Sequence, residues 1–313
     1  MAVPAQGRVA DQAVVPVPAR RRGNSAHLRA RRRFGLLLLL PLIVVNLLVI
    51  VGPSFAAMYY SFTDWTGIGG YNWVGLRNYT DLVKDPDFRS GLLHNLEWTA
   101  IFLTVPMAMG LMGAFLLSRI TRFRMLFRVA YFIPYVIAGV VSASVWENLL
   151  DPQQGLGSAL GIPGLEGTTF FGDPDRALPA VAFVDIWHFW GFLLVLFLAA
   201  MQGIDRELYE AARVDGAGLW REFRDITLPG IRPTLVFAVV LVTIWSFLTF
   251  DYIYIITQGG PAGATETAAT LLYKEVFEYD QAGYAAAMGL TLSLVALVVM
   301  GLYGLARKLG WRV

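Results

Sequence analysis

Two acidic residues, Asp185 and Asp251, stand in long apolar stretches of the sequence, where a charged group is costly to bury. Aromatic residues surround both of them. Carboxylates accept hydrogen bonds from hydroxyl groups, and aromatic rings pack well against the faces of sugar rings. We therefore predict that Asp185, Trp187, Trp245, Asp251, Tyr252 and Tyr254 line a solute path.

The same residue types also occur in membrane helices that bind no solute. Trp and Tyr collect at membrane–water interfaces, and acids near helix ends stay hydrated. Asp185 and His188 lie one helical turn apart and could form an acid–base pair in a membrane enzyme, but no nucleophile or phosphate motif accompanies them. His188 has no second ligand at metal spacing, so we expect it to pack or to form a hydrogen bond, and we predict no metal site.

The elements that must hold these residues are apolar segments long enough to cross a membrane. Of 313 residues, 56% are hydrophobic and only 15% are charged, whereas roughly a quarter are charged in soluble domains. Six segments approach the length of a membrane span: 34–60, 96–118, 129–150, 178–201, 235–257 and 284–305. We therefore predict an all-α integral membrane protein with about six transmembrane helices.

Prolines and small residues inside these segments predict local features of the spans. Pro106 and Pro134 remove backbone donors, so we expect kinks there. Gly110 and Ala114 lie four residues apart, which favours a close approach between helices in lipid.

Lysine and arginine are unevenly distributed along the chain. Twenty of the 25 fall in the tail 1–33, the turn 119–128, the loop 202–232 and the C-terminus, and the other five fall in the alternate loops. Because basic residues collect on the cytoplasmic side, both termini are predicted to face the cytoplasm across the cell (plasma) membrane. The tail is predicted to be disordered. A cleaved signal peptide is the alternative, although the apolar run that follows is longer than such signals use.

The segment 205–233, between the fourth and fifth predicted spans, is too long for a tight turn. Asp205 is placed to cap a helix over 206–214, and Gly216 is placed to end it. A second helix over 219–227 repeats apolar positions and is predicted to stop at Pro229. The pattern predicts a helix, a turn and a helix parallel to the membrane.

Small side chains leave one face of the first loop helix open. Ala211 and Ala212 offer no bulk, and Glu210 and Asp215 place carboxylates at the edges, which suits insertion into a groove of a partner. An amphipathic helix lying on lipid headgroups has a similar composition. Residue types alone leave both alternatives open.

The loop resembles the EAA signature of permease subunits in binding-protein-dependent ABC importers. The matching residues are Glu210, Ala211, Ala212, Asp215, Gly216, Ala217, Phe223, Ile226, Leu228 and Pro229, at the family's spacing and between the same spans. The resemblance implies that these residues couple the chain to a separate ATPase. Since the chain has no G-x-x-x-x-G-K-[ST] phosphate loop, we expect it to be no enzyme and to hold no cofactor, with ATP and Mg²⁺ bound by the partner.

Outside the loop the resemblance is to the carbohydrate-uptake, maltose-type branch of these permeases. It rests on His94 and Asn95, on Pro134 and Trp146, and on the outer stretch 257–288. It implies an importer permease core at 94–307 that includes the coupling loop 202–233, preceded by the tail 1–33 and by a first helix with its outer loop at 34–93, and followed by a tail at 308–313.

The resemblance also implies partners. We expect a second permease subunit in a heterodimer, two ATPase subunits, an extracytoplasmic solute-binding protein and the lipid bilayer, with no nucleic acid. A glycerol phosphate is the alternative to a sugar as solute. An ion-coupled secondary transporter is the alternative in another class, because it too uses intramembrane acids, but the sequence shows no inverted repeat.

Overall fold

The computed structural model describes residues 25–120 and 122–308, and this part of the chain is built from helices. The helices of its N-terminal half are α1 (Ser25–Asn46), α2 (Gly52–Tyr60), α3 (Arg77–Lys84), α4 (Pro86–Arg119), α5 (Arg124–Val136), α6 (Gly139–Leu149) and α7 (Leu156–Leu160). Those of the C-terminal half are α8 (Pro174–Met201), α9 (Arg206–Val214), α10 (Leu219–Glu222), α11 (Leu228–Gly230), α12 (Arg232–Phe247), α13 (Asp251–Ile256), α14 (Ala268–Phe277) and α15 (Ala282–Lys308). Two π-helical segments, Leu47–Val51 and Phe223–Thr227, connect helices without a break.

Within residues 25–120 and 122–308, five stretches of helix are long and apolar enough to cross a membrane, and a sixth is present if a bent pair counts as one span. The five are Leu38–Tyr60, Pro86–Arg119, Pro174–Met201, Arg232–Ile256 and Ala282–Leu305. The only strand-like pairing in the described residues is one isolated bridge between Thr63 and Trp73. The prediction of an all-α membrane protein with about six spans is therefore confirmed.

The chain divides into two compact units between Phe55 and Ala56. In the first unit, α1 begins at Ser25, inside the stretch 1–33 that the sequence predicts to be a disordered tail. Residues 1–24 lie outside the described part of the chain, as do 309–313 of the C-terminal tail.

The third predicted span, 129–150, is wrong as a single helix. The chain forms α5 and α6 instead, bent by 93° at a short break. The break follows Pro134, whose carbonyl accepts from Ile137 N at 3.2 Å to close the last turn of α5. Pro106, in contrast, lies inside the continuous helix α4, so the two prolines do not act alike.

Two spans begin earlier than predicted, because aspartate–proline pairs start their helices within the outer loops. Asp85 caps α4, its carboxylate accepting from Asp87 N at 2.8 Å, and Pro86 is the first helical residue. Asp173 and Pro174 start α8 in the same way. The apolar pattern alone placed these starts at 96 and 178.

Helices α4 and α8 form the centre of the second unit. A β-carbon added to Gly110 of α4 would lie 2.7 Å from the Leu193 β-carbon of α8, and Ala114 is fully buried one turn further on. This contact is the close helix approach that the small residues predict. On the other side of α8, a β-carbon on Gly191 would lie 2.0 Å from the carbonyl oxygen of Tyr131 in α5. Both glycines therefore allow backbone to approach backbone.

Buried polar residues tie the outer stretch 257–288 to α4. The Asn95 side chain accepts from Ala268 N at 3.0 Å and donates to the Ser246 carbonyl at 2.9 Å, so it joins α4, α12 and α14. His94 Nδ1 donates to the carbonyl of Glu266 at 2.6 Å. Because unpaired polar groups in this buried position would be costly, these bonds fix the stretch in place.

Candidate functional site

The first loop helix, α9, has the bounds that the sequence predicts. Asp205 occupies its N-cap position, although its side chain makes no capping hydrogen bond. At the other end Gly216 N donates to the Arg213 carbonyl at 3.1 Å and Ala217 N donates to the Ala212 carbonyl at 2.8 Å. This pattern is a Schellman motif, and it requires the left-handed backbone that Gly216 adopts, with φ at +75°.

The second loop helix is longer than predicted. It starts as α10, passes through the π-helical segment Phe223–Thr227 and continues into α11. The prediction that Pro229 stops it is wrong, because proline is tolerated in the first turn of a helical segment, where it stands in α11. The π-helical turn is a feature that the apolar periodicity did not indicate.

Glu222, at the end of α10, joins the loop to a membrane span. Its carboxylate forms ion pairs with Arg119, the last residue of α4, and with Arg213 of α9, the latter at 3.1 Å. The Glu222 side chain is only 2% exposed. Burial raises the pKa of this carboxyl, but the hydrogen bonds from Arg119 and Arg213 outweigh it, so the pKa lies below the ordinary value. Glu222 is therefore charged at neutral pH and holds both arginines.

Apolar contacts reinforce this junction. The ring of Phe223 packs edge-on against Phe115 of α4, with 4.9 Å between centroids, and the Arg119 guanidinium lies 4.3 Å from the Phe115 ring centre. Tyr209 of α9 forms a hydrogen bond of 2.9 Å with the buried Thr227 hydroxyl. Within the described residues, the loop is thus anchored to α4 by packing as well as by charge.

The remaining residues of the predicted coupling set lie nearer the surface. Glu210, Ala211, Asp215, Gly216 and Pro229 are exposed, whereas Ala212, Ala217, Ile226 and Leu228 are half-buried. Large apolar side chains in the same loop are also exposed: Leu208, Val214, Leu219 and Trp220. We call these four residues the exposed apolar patch. Such a patch on a polar loop is typical of a surface that contacts another molecule.

A second group of polar residues lies inside the membrane region, beside the break between α5 and α6. His188 Nε2 of α8 donates to the Ile137 carbonyl at 3.1 Å, at the point where the helix is interrupted. The Tyr252 ring lies 5.7 Å from the His188 ring, and its hydroxyl faces Gly139, the first residue of α6. Asp185 and Asp251 interact electrostatically with each other and with Tyr252. Broken helices with polar neighbours are where many transporters bind solute.

The structure therefore brings together three of the six residues predicted for the solute path, namely Asp185, Asp251 and Tyr252. The others make aromatic contacts with different partners. Trp187 packs edge-on against Trp146, Trp245 packs against Phe189, and Tyr254 stacks on Phe250. His188, expected to pack or to form a hydrogen bond, does both and joins the polar group. In the described part of the chain, no cluster of three or more His, Asp or Glu side chains is arranged to hold a metal ion.

The fold and the loop together define a multi-pass membrane protein of the transport-permease class. Residues 107–308 match the family of binding-protein-dependent transport system inner membrane components, and the chain belongs to that family. The predicted resemblance to ABC importer permeases is thereby confirmed.

Relatives place the chain near carbohydrate permeases. It is 34% identical to the diacetylchitobiose uptake system permease protein NgcF of Streptomyces coelicolor, over 94% of this chain and 88% of the relative. It is 32% identical to the trehalose/maltose transport system permease protein MalF of Thermococcus litoralis, over 86% of this chain and 90% of the relative. These names confirm the predicted resemblance to the carbohydrate-uptake branch.

A solved structure shares the fold. The bacterial alginate ABC transporter, in complex with an alginate pentasaccharide-bound periplasmic protein, has a chain that matches with a TM-score of 0.80. The match covers 90% of this chain and 96% of that chain at 24% sequence identity.

Proposed function

We propose that this chain is the transmembrane subunit of an ATP-driven importer for a sugar or sugar-like solute. It forms half of the translocation path beside a second permease subunit, and two cytoplasmic ATPase subunits and an extracytoplasmic solute-binding protein complete the importer. Family membership and the carbohydrate permeases among its relatives support this proposal. The chain itself hydrolyses no ATP and holds no cofactor, and both of its termini face the cytoplasm of the plasma membrane.

The observation that carries the proposal is the connection from α9 through Glu222 to Arg119. An exposed helix that only rested on lipid would need no buried ion pair to a membrane span. Here Arg213 of α9 and Arg119 of α4 share one buried carboxylate, so a displacement of α9 is transmitted to α4. We infer that the ATPase contacts α9 and the exposed apolar patch, and that its closure moves α4 and the packed helix α8.

The solute path passes the polar group beside the break between α5 and α6. Asp185 and Asp251 offer acceptors for solute hydroxyls, and Tyr252 and His188 offer a phenol and an imidazole. Because α8 carries both Asp185 and His188 and packs along α4, movement of α4 changes the shape of this group. ATP hydrolysis is thereby linked to solute release.

Uptake by proteoliposomes tests the proposal. The chain is reconstituted with the permease, ATPase and binding protein that co-purify with it, and a panel of labelled mono- and oligosaccharides is offered outside. We expect accumulation of at least one sugar that requires ATP inside and the binding protein outside. Uptake that follows an imposed proton or sodium gradient without ATP would favour the ion-coupled secondary transporter. ATP-dependent uptake of glycerol phosphates alone would retain the importer and exclude the sugar.

A further inference from the structure

A large polar cavity lies between the coupling loop and the ends of two membrane spans. Its volume is about 1040 Å³, which is the size of a ligand site. The lining comes from the last residues of α4 and α8, the first turns of α5 and one face of α9. Arg119, Arg124, Arg128, Arg206 and Arg213 all line it.

The cavity carries more positive charge than its own carboxylates neutralise. Glu210 lines it, and Glu222 holds Arg119 and Arg213 from beside it. Five arginines therefore face two carboxylates, an excess of three positive charges. Among the described residues, Arg124, Arg128 and Arg206 form no ion pair.

The start of α5 adds to this positive potential. Phe123 precedes the helix in the left-handed conformation, with φ at 60°, and provides no side-chain cap. The first turn holds no acidic residue, so the positive end of the helix dipole meets Arg124 rather than a carboxylate. Arg124 and Arg128 lie four residues apart on one face, where like charges repel. A bound anion would relieve both effects.

We propose that this cavity binds a phosphate group, carried by an anionic membrane phospholipid or free in solution. Arginine forks match phosphate oxygens in paired hydrogen bonds. The candidate spans α4 and α8 end at Arg119 and Met201, and both residues line the cavity. A basic cavity at the ends of two spans suits an anionic lipid headgroup. Phe123, Met125 and Leu198 also line it and provide apolar contacts for the glycerol and upper acyl carbons of a lipid.

The site shares Arg119 and Arg213 with the proposed coupling junction and Glu210 with the predicted coupling residues, but it also includes residues outside both. It uses Arg124 and Arg128 of α5, which lie outside the loop 202–233. An occupied site would nevertheless stabilise the junction of α4, α5 and α9, because one phosphate bridges arginines from all three helices.

Native mass spectrometry of the full chain in detergent tests the proposal, with dioleoylphosphatidylglycerol, dioleoylphosphatidylcholine and inorganic phosphate as probes. We expect one tightly held phosphatidylglycerol and weaker phosphatidylcholine binding. The double variant Arg124→Gln/Arg128→Gln should bind phosphatidylglycerol about thirtyfold more weakly. The matched control Arg221→Gln/Arg224→Gln removes the same charge from loop residues outside the cavity lining and should bind like the wild type.

The remaining measurements distinguish a lipid phosphate from free phosphate, and both from an acidic partner surface. Displacement of the lipid by millimolar inorganic phosphate assigns the site to free phosphate, and retention of the lipid assigns it to a headgroup. Equal binding of the two lipids by the wild type would overturn the proposal. So would unchanged lipid binding by the double variant. Loss of a co-purified ATPase from that variant would then assign these arginines to an acidic partner surface. If the double variant does not fold, Arg206→Gln is measured in its place, beside the wild-type comparison of the two lipids. Weaker phosphatidylglycerol binding by Arg206→Gln than by the wild type supports the proposal, and equal binding contradicts it.

Discussion

Glu222 of the loop 202–233 and Arg119 at the end of the candidate span α4 form an ion pair, with the carboxylate almost completely buried. Arg213 of α9 binds the same carboxylate from the other side. The loop helix and the span α4 therefore meet at one acidic side chain. A movement of either helix must move the other or break a buried charge pair, which is costly.

Glu222→Gln keeps the size of the side chain but removes its charge. We expect the variant to retain ATPase binding while sugar uptake per ATP hydrolysed falls several-fold, because α9 would move without moving α4. Each lost charge-assisted bond lowers the free energy of unfolding by about 1.5–3 kcal/mol. Uptake and hydrolysis are measured together in proteoliposomes. Glu166→Gln, at an exposed acid outside the loop 202–233, is the matched control. A normal ratio of uptake to hydrolysis in Glu222→Gln would contradict the role of the junction.

The same ion pairs predict a pH dependence of stability. The pKa of Glu222 is lowered in the folded protein, so its stabilising contribution is complete above the ordinary value of 4.5 and is lost as the pH falls through the lower folded value. Wild type should melt at a higher temperature than Glu222→Gln at pH 7, and the difference should shrink below pH 4.5. Thermal melts of both proteins in detergent across this range provide the measurement. A difference that grows on acidification would show that the carboxyl is neutral in the folded state.

Gly216→Pro should abolish uptake while the chain still inserts in the membrane. Proline fixes φ near −65° and cannot take the +75° of Gly216 that closes the Schellman motif. Gly218, two residues on, has φ at −78°, which suits proline. Gly218→Pro is therefore the control and should transport normally. Uptake by Gly216→Pro equal to that of the control would exclude a role for this turn in coupling.

Ala212→Trp tests the open face of α9 in a different way. Its bulk should prevent docking of the ATPase without disturbing the spans, so uptake should be lost with insertion intact. Recovery of the ATPase with the tagged variant is the measurement. Normal recovery and normal transport would show that the ATPase contacts another surface.

Tyr252→Phe should raise the KM for uptake several-fold, because it removes a hydroxyl from the polar group beside the helix break. Tyr254→Phe is the comparison on the same helix and should have a smaller effect, since the Tyr254 ring stacks on Phe250 rather than facing His188. The KM for each variant is measured with the sugar that gives uptake by wild type. Equal effects of the two substitutions would remove Tyr252 from the solute path.

Gly191→Ala should destabilise the membrane core. Its new β-carbon would lie 2.0 Å from the Tyr131 carbonyl oxygen, so α5 and α8 must move apart. Overpacking of this kind lowers the free energy of unfolding by about 1–3 kcal/mol. Gly301→Ala, where no atom lies within 4 Å of the added carbon, should leave the melting temperature nearly unchanged. Equal melting temperatures for both variants would contradict the close packing of α5 and α8.

The spans could be predicted because the length of an apolar stretch is what identifies a membrane helix. Helix α9 could be predicted because its boundaries depend only on residues close by in the sequence. Its start at Arg206 and its end before Gly216 depend on residues within two turns of chain. The bend at Pro134 was predicted as a kink, but the full break between α5 and α6 was not. Pro134 gives the same signal as Pro106, and only the packing of α8 against Tyr131 separates the two cases.

The junction at Glu222 was also missed, because it joins residues 103 positions apart in the chain. Periodicity carries no information about such a contact. One signal was present, since Glu222 is an acid between Arg221 and Arg224 in the basic loop.

The neighbours of Trp187, Trp245 and Tyr254 could not be predicted for a related reason. Residue type suggests that each ring could pack against a sugar, but tertiary packing determines whether a face of the ring is free to contact a solute. In the structure the three rings pack on Trp146, Phe189 and Phe250 respectively. The contribution of all six predicted residues to the solute path stays a prediction.

The most direct test of coupling through α9 is recovery of partners with the tagged chain from gently solubilised membranes of its native host. We expect mass spectrometry to find a separate ATPase and a second permease, with ATP hydrolysis by the complex. The Gly216→Pro variant should retain the second permease and lose the ATPase. Recovery of the wild-type chain without any ATPase, in several detergents, would contradict the central claim that this chain is coupled to one through α9.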